Sequence, residues 1–414
     1  MSLPVLSIVA FAVAIVLSCF TRINVGFVSV AFAFVVGVWF GGMRVQDVAA
    51  GFPGSIFLVL VGVTLLFSQA QVNGTLDRVA QRSIRLARGN AGWIGLIFFG
   101  LAVALSAAGA GNIAATALLA PVAMAAAARC GISSFLMTVA VATGASAGGL
   151  SPFAPTGVIA NGLLARVGIT GASWPTFFNN FLAESFVGVA GYLLLGGAKL
   201  LGRGHTTEVL SDDGGPFSGK QKLTLVVIGA LIVSVAFFRV DVGMGAFLGA
   251  ALLTLARAAD EAQAVKVMPW NTIVMVCGVT VLISILEKTG GMGLFTTMLA
   301  RFSTQKSITG VIAFVTGVVS VYSSSSGVVL PAFLPTIPSL VEKLGGGDAM
   351  AIASSINVGA HLVDVSPLST LGALCMAAAP ATEDRTALFH KLLAWGLSMS
   401  VVGAVVCWVF FGLL

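Results

Sequence analysis

The 414-residue sequence has very little charge, because Asp, Glu, Lys and Arg together make up 9% of it while 58% is hydrophobic. A soluble domain carries roughly 25% charged residues, so this chain cannot cover a folded core with a water-exposed surface. The net charge of +6 comes from basic residues scattered among short loops. Without a basic stripe no nucleic-acid partner is expected, and scattered loop bases are typical of the positive-inside rule of membrane proteins.

Paired cysteines and clustered metal ligands are also lacking. The cysteines have neither ligand spacing nor a paired context, which indicates packing residues; they are Cys19, Cys130, Cys277, Cys375 and Cys407. Nucleophiles and bases do not stand at a catalytic spacing. We therefore expect no cofactor, no metal beyond a transported ion and no enzymatic activity.

Long apolar runs are what the sequence has in abundance. They recur from Leu3 to Leu414, and at about 16–20 residues each is long enough to cross a hydrocarbon core of roughly 30 Å as a helix. The runs do not alternate in polarity, so helices and not a barrel are predicted. Fifty glycines favour close helix contacts, because small residues let backbones approach. The predicted fold class is an all-α integral membrane protein.

An internal repeat divides the chain at an offset of about 214–217 residues. Gly62-Val-Thr resembles Gly278-Val-Thr, and Ser151-Pro resembles Ser366-Pro. Each half has five predicted spans, and an odd number gives the halves opposite orientations, the inverted-repeat plan of many secondary transporters. The spans are 4–18, 25–41, 56–70, 133–168, 178–198, 223–238, 242–257, 271–287, 350–379 and 387–411. The predicted units are a first repeat over 1–198, a cytoplasmic linker over 199–222 and a second repeat over 223–414.

Each half also has a pair of apolar arms around a polar tip, at 92–129 and 308–343. A re-entrant hairpin is favoured over two further spanning helices, because polar backbone at membrane depth is tolerated where it lines a cavity. The polar stretches 71–90 and 288–306 suit helices lying along the membrane surface. Placing the arginines between Arg78 and Arg88 in the cytoplasm puts both termini in the periplasm of a bacterial inner membrane.

The spans 133–168 and 350–379 are interrupted by Ser-Pro motifs, which a helix cannot continue through. Such matched breaks point to a binding site near the midplane, where exposed carbonyls hold cations and exposed N–H groups hold anions. Ordinary proline kinks are the alternative. The predicted substrate-binding residues are Asn112, Ser151, Thr156, Ser325, Ser326, Ser366, Ser369 and Thr370. The predicted cation-binding residues are Gly111, Asn112, Gly149, Ser323, Ser326 and Asp364.

Three acidic residues fall within or beside the spans. Asp364 is a functional candidate, because a carboxylate inside a membrane is costly. The alternatives are a structural pair with His361 or a hydrogen bond from Asp364 to the broken backbone. Glu184 and Glu287 are expected at the membrane interface.

With this repeat, these hairpins and these Ser-Pro breaks, the chain resembles the ion transporter superfamily. Within it the chain is similar to the divalent anion/sodium symporter family and most closely to MatC-type malonate and dicarboxylate carriers, above all in Ser151-Pro-Phe-Ala-Pro-Thr-Gly with Ala160-Asn-Gly. Those symporters bind carboxylate and Na⁺ with Ser-Asn-Thr at both tips. The triplets that correspond here begin at Gly111 and Ser325, and only Asn112 and Ser325 keep their type. The resemblance implies a homodimer and an elevator motion.

The sequence therefore predicts a cation-coupled symporter of a small dicarboxylate, such as malonate or a C4 acid, with Na⁺ rather than H⁺ as the coupling ion. Lys and Arg are missing from the tips and breaks, so helix N-termini, hydroxyls and bound cations would meet the substrate's charge. A proton-coupled antiporter, or an exporter of another oxyanion with Asp364 as proton carrier, is the alternative. A channel or an intramembrane enzyme is disfavoured by the opposed repeats and by the lack of a catalytic spacing.

Overall fold

The computed structural model describes residues 2–21, 23–84, 91–201, 216–238, 240–380 and 382–413. These residues form helices and no strands, which confirms the predicted all-helical class. Six helical stretches are long and apolar enough to cross a membrane, consistent with an integral membrane protein: Gly54–Val72, Gly92–Cys130, Ser173–Leu201, Trp270–Lys288, Ala349–Ala378 and Arg385–Leu413. Shorter apolar helices cover Leu3–Leu17, Val25–Phe40, Ser134–Gly149, Val242–Leu255 and Ile308–Tyr322.

Among the described helices before residue 202, capping side chains and glycines mark some of the helix starts and ends. They are α1 (Leu3–Phe20), α2 (Val25–Phe34), α3 (Val45–Ala49), α4 (Gly54–Val72), α5 (Thr75–Ile84), α6 (Ala91–Leu105), α7 (Gly111–Cys130), α8 (Ser134–Gly149), α9 (Pro155–Arg166), α10 (Ser173–Tyr192) and α11 (Ala198–Leu201). The Asn24 side chain accepts from Gly26 N at 2.9 Å and so caps α2. Gly131, with φ of +65°, ends α7 in the left-handed conformation that glycine tolerates.

Several of the described helices after residue 215 begin at aspartates. They are α12 (Gly219–Phe238), α13 (Val242–Leu255), α14 (Glu261–Val267), α15 (Trp270–Lys288), α16 (Gly291–Arg301), α17 (Ile308–Tyr322), α18 (Leu330–Phe333), α19 (Ile337–Lys343), α20 (Ala349–Leu362), α21 (Thr370–Ala378) and α22 (Arg385–Cys407). Asp241, Asp348 and Asp384 accept N–H bonds at the starts of α13, α20 and α22. Each satisfies backbone donors that have no partner inside the helix.

Helices lie in each of the ten segments predicted to span, and α5 and α16 lie in the two stretches predicted as surface helices. The predicted linker is too long at both ends, because α10 continues through a π-helical turn into α11 and α12 begins at Gly219. Linker residues 202–215 lie outside the described residues, as do Arg22, Arg85 and Arg88. The short helices α3 and α14 lie between predicted spans, where the sequence analysis predicts no element.

Helices from the two halves pack closely at glycines. In the contact of α2 with α15, a Cβ on Gly26 would be 2.7 Å from Met275 Cα, and a Cβ on Gly278 would overlap the Gly26 carbonyl. In the contact of α4 with α13, a Cβ on Gly62 would be 2.6 Å from the Gly243 carbonyl oxygen. Gly243 lies 217 residues after Gly26, and Gly278 lies 216 after Gly62. The same close helix–helix contact therefore occurs at two equivalent places in the molecule.

The broken helices lie at the centre of the molecule. α8 packs against α6, α7 and α10, while α20 packs against α10, α17 and α22. The arms of the first hairpin, α6 and α7, meet at the π-helical turn Ser106–Ala110. The second hairpin continues from α17 through Ser325–Val329, α18 and a 3₁₀ turn into α19, and its return arm is irregular because it contains three prolines.

Candidate functional site

The first break is held by hydrogen bonds around one serine. Pro155 begins α9, a position at which the missing N–H costs nothing. Ala154 N donates to the Ser151 carbonyl at 3.0 Å, and Phe153 N donates to Ser151 Oγ at 3.2 Å. A Cβ at Gly157 would overlap the Ser151 carbonyl, so this tight connection needs a glycine.

The second break repeats these contacts. Ser369 N donates to the Ser366 carbonyl at 3.0 Å, and Leu368 N donates to Ser366 Oγ at 3.3 Å. A Cβ at Gly372 would overlap the Ser366 carbonyl. Each of these residues lies 215 positions after its counterpart. The two Ser-Pro motifs therefore fold into the same structure, and their serine hydroxyls are used to shape the turn.

The first hairpin tip packs directly onto the first break. The tip turns at Gly109, with φ of +125°, and at Gly111, with φ of +78°, conformations that favour glycine. Ser151 Oγ donates to the Ala107 carbonyl at 2.7 Å. A Cβ at Gly111 would lie 2.9 Å from Pro155 Cδ, which leaves no space between tip and break.

Asn112 begins the second arm of this hairpin and is buried. Its Oδ1 accepts a bond from Ile113 N at 3.0 Å and a longer one from Thr156 Oγ1 at 3.4 Å. A Cβ at Gly149 would lie 3.4 Å from the Asn112 Cβ. The structure therefore brings together the residues predicted for the first half of the site: the start of α9, the end of α8 and the tip.

The second tip holds the Asp364 carboxylate. Asp364 is 4% exposed, and its Oδ1 accepts from Ser325 Oγ at 2.6 Å and from Ser369 Oγ at 2.9 Å. Ser325 Oγ also lies 2.7 Å from Ser320 Oγ and 3.2 Å from the Ala360 carbonyl oxygen. These side chains and the backbone of α20 gather hydroxyl, carboxylate and carbonyl oxygens, the ligands of hard cations.

His361 does not form the predicted alternative pair with Asp364. Its Nδ1 lies 2.7 Å from the Asn357 carbonyl oxygen, one helical turn back, and its Nε2 has no partner. Within the described residues the ion pair that does form is Arg44–Asp47, at the surface. Asp364 is therefore bound by hydroxyls.

The two tips face each other across a cavity of about 190 Å³, here called the wide cavity. Its lining carries no charged side chain, and the starts of α7 and α9 both reach it. Its polar lining comes from Thr64, Ser68, Gln71, Asn112, Thr156, Thr272 and Ser326. The α4 and α15 residues among these were not predicted, although Thr64 belongs to the repeated Gly-Val-Thr motif.

A second, narrow cavity of about 20 Å³ lies between the tips and the start of α21. Asn112 and Ser326 line both cavities, so the two are adjacent. Polar groups of the narrow cavity include Asn112, Ser324, Ser325, Ser326, Asp364, Ser369 and Thr370. Among the described residues that line it, Asp364 is the acidic one.

Other predicted residues lie beside these cavities. Ser151 and Ser366 line neither of them, because their hydroxyls bond within the breaks. Gly149 stands behind Asn112, and Ser323 is buried at the end of α17. Of the predicted site, Asn112, Thr156, Ser326, Ser369, Thr370 and the Ser325–Asp364 pair are thus brought together.

A third cavity, the α15 cavity, has a volume of about 100 Å³. Four of its lining residues lie 216 positions after four residues of the wide cavity: Thr280, Ile283, Ser284 and Glu287 follow Thr64, Phe67, Ser68 and Gln71. Arg166 lines it opposite Glu287, and no tip residue is in its lining. The same face of equivalent helices therefore lines two separate cavities.

The expectation that Glu184 lies at the membrane interface is wrong. Glu184 is 0% exposed, and in the described part of the chain neither of its carboxylate oxygens has a hydrogen-bond partner. It is buried because α10 packs between α8 and α20, which are distant in sequence from each other. Glu287 is exposed at the end of α15, as expected.

Similarity to known proteins extends over both sequence and fold. The crystal structure of the Alcanivorax borkumensis YdaH transporter matches with a TM-score of 0.56 and 14% identity, covering 89% of this chain and 87% of that one. Neisseria gonorrhoeae MtrF, from a class of antimetabolite efflux pumps, matches with a TM-score of 0.59 and 12% identity, covering 89% and 83%. No curated protein matches in sequence. At such low identities these matches show a similar fold only.

Residues 1–149 match the family described as the dicarboxylate carrier protein MatC N-terminus. The match ends just before Ser151, so the stretch with the strongest predicted resemblance lies outside it. The predicted resemblance to MatC-type carriers is confirmed over these 149 residues, and the chain shares its fold with membrane transporters.

Proposed function

We propose that this protein is a secondary active transporter that couples uptake of a small dicarboxylate, such as malonate or a C4 acid, to Na⁺. It works in a bacterial inner membrane as a homodimer, with both termini in the periplasm. Its two inverted repeats, 1–198 and 223–414, are joined by the cytoplasmic residues between them. The observation that carries the proposal is the pair of adjacent cavities at the tips, one uncharged and wide, the other narrow with a carboxylate.

The wide cavity suits a small anion. Pockets that take drug-sized ligands measure about 300–1,000 Å³, so about 190 Å³ restricts the substrate to a smaller molecule. The N-terminal ends of α7 and α9 reach this cavity, and a helix N-terminus carries roughly half a positive charge. Asn112 and Thr156 add donors for a carboxylate. The wide cavity could therefore bind an anion without Lys or Arg.

The narrow cavity suits the coupling cation. A cavity needs about 10–15 Å³ to hold one water-sized particle, so about 20 Å³ admits one Na⁺ and excludes a dicarboxylate. Asp364 supplies the negative charge, and hydroxyls of Ser325, Ser326 and Ser369 supply further oxygen ligands. Because Asn112 and Ser326 line both cavities, a cation here lowers the cost of placing an anion next to it.

The α15 cavity supports alternating access by an elevator motion. It has the same lining positions as the wide cavity, taken from the equivalent helix of the other half. In an inverted repeat the two lie on opposite sides of the membrane. Movement of the tips and breaks as one body from the wide cavity toward the α15 cavity would carry both ligands across.

Uptake of labelled malonate and succinate into proteoliposomes tests this proposal, with inward Na⁺ and proton gradients imposed separately. We expect accumulation with the Na⁺ gradient alone. At the same Na⁺ gradient Asp364→Asn should greatly weaken this accumulation, while Asp77→Asn, which removes an exposed carboxylate on α5, should leave it intact. Accumulation driven by the proton gradient in the complete absence of Na⁺ would overturn Na⁺ coupling, and the absence of any dicarboxylate uptake would overturn the substrate class.

A further inference from the structure

Glu184 is a buried carboxyl group that the site described above does not use. It is 0% exposed, and neither Oε1 nor Oε2 has a hydrogen-bond partner among the described residues. Buried polar groups nearly always have partners, and an ionisable residue inside a membrane protein marks function by default. A carboxyl with neither oxygen bonded therefore needs an explanation.

Around Glu184, polar side chains lie in the contact between α8, α10 and α20, and this contact is here called the polar seam. Asn180, one turn before Glu184, donates to the Ser146 carbonyl of α8 at 2.9 Å. Asn179 donates to Ser354 Oγ of α20 at 2.8 Å. Further buried polar atoms of these three helices lack a partner: Ser146 Oγ, Asn180 Oδ1, both side-chain polar atoms of Asn357, and His361 Nε2. The seam can therefore take further hydrogen bonds.

Within the part of the chain that the structure describes, no basic side chain pairs with Glu184. α8 carries no titratable group, α20 carries His361, and the turn after α20 carries Asp364. α9 carries Arg166 at its end, and the segment after α10 carries Lys199. α22 carries Arg385, His390 and Lys391, which are exposed near its start, and the buried Cys407. Since burying an unpaired charge is very costly, Glu184 holds a proton in this conformation.

A carboxyl is not needed here for packing. The residue 215 positions later, at the equivalent place on α22, is Met399, which is also buried. An apolar side chain of similar length fits that position, and replacing an unpartnered polar group by an apolar one is neutral or stabilising. Packing therefore does not explain the carboxyl at position 184.

We propose that Glu184 is a proton-binding residue that couples one proton to the transport cycle. This proposal rests on the proposed transport function, but it does not depend on Na⁺ being the coupling ion. In the described conformation the side chain is a neutral carboxylic acid. When the seam opens to water, its O–H bond ionises, the proton passes to water and the carboxylate becomes hydrated. Closing the seam again requires a proton to return from solution, so closure of the seam and proton uptake are linked.

Two variants separate this role from a structural one. Glu184→Gln keeps the shape and neutrality of the acid, and Glu184→Met copies the side chain at 399. Glu342→Gln, at an exposed position of α19, is the matched control. We expect all three to fold, because none introduces a buried charge.

The first measurement follows proton movement with a pH-sensitive dye in proteoliposomes during malonate or succinate uptake. Wild type and Glu342→Gln should move protons with substrate, and both Glu184 variants should lose this signal. Equal proton movement in wild type and Glu184→Gln would overturn the proposal.

The second measurement needs no transport, so it distinguishes failure of this inference from failure of the proposed function. Infrared difference spectra of the purified protein between neutral and alkaline pH, a range in which exposed carboxyls are already ionised, should contain the carbonyl stretch of a protonated carboxylic acid. This band should persist in Glu342→Gln and be lost in Glu184→Gln. An unchanged band in Glu184→Gln would overturn the proposal, even if the transported substrate is not a dicarboxylate.

Discussion

At the residue scale, Asp364 is surrounded by hydroxyls of Ser325 and Ser369, and this sets its expected role in cation binding. In Asp364→Asn the hydroxyls keep a partner, but the negative charge is gone. A charge-assisted contact is worth about 1.5–3 kcal/mol, so we expect the apparent Na⁺ affinity of uptake to fall roughly 10- to 150-fold. Preference between malonate and succinate should change little. Na⁺ titrations of uptake test this, and unchanged Na⁺ and pH dependence would contradict it.

Asn112 and Ser326 are expected to act on substrate and cation together, because they line both cavities. Asn112→Ala and Ser326→Ala should each weaken uptake by about 5- to 150-fold, since an unsatisfied buried partner costs about 1–3 kcal/mol. Ser303→Ala is the control, because it removes a partly buried hydrogen bond to the Leu299 carbonyl away from both cavities. Near-normal uptake by both tip variants, with correct insertion, would contradict the site.

Residues marked by a short stretch of sequence could be predicted, whereas properties that depend on helices distant in sequence could not. Asp364 and Asn112 were found because a carboxylate in a span and a polar tip are visible in a short window. The burial of Glu184 was not predicted, because it depends on α8 and α20 closing around α10. Ser151 and Ser366 were found as break residues, but only the structure assigns their hydroxyls to backbone N–H groups.

At the element scale, the two breaks depend on glycines at equivalent places. Gly157→Ala and Gly372→Ala would each push a Cβ into the carbonyl of the Ser-Pro serine. We expect each to destabilise the protein by about 1–3 kcal/mol, as overpacking does, and to lower uptake by moving Thr156 or Thr370. Gly100→Ala, where a Cβ meets nothing within 4 Å, is the control. Thermal unfolding in detergent checks this, and wild-type stability of both break variants would contradict it.

Helix positions were predictable where the apolar run is long. All ten spans contain helices, because a run of about 16–20 apolar residues has few alternatives in lipid. The five- and seven-residue helices α3 and α14 were missed, since such short pieces are stabilised by caps and tertiary packing and not by periodicity. Residues 219–222 were predicted as part of the linker because they include lysines, but α12 begins at Gly219.

At the scale of the whole molecule, recurring motifs predicted a two-fold plan, and the structure adds contacts made twice. The paired glycine contacts of α2 with α15 and α4 with α13 are one example. The equivalent cavities along α4 and α15 are another. Cavities are formed by side chains far apart in sequence, so their positions required coordinates. Their pairing leads to a prediction about the whole transport cycle.

Ser68 and Ser284 line the wide and α15 cavities at equivalent positions. In a variant with the five native cysteines replaced, Ser68→Cys and Ser284→Cys should react with a membrane-impermeant thiol reagent from opposite sides of the membrane. Because one moving body closes one cavity as it opens the other, adding Na⁺ and dicarboxylate should change the two labelling rates in opposite directions. Ser218→Cys, exposed before α12, reports vesicle orientation at a rate independent of ligand. Labelling of both cavity positions from the same side would contradict the inverted repeat, and parallel changes in both rates would contradict alternating access.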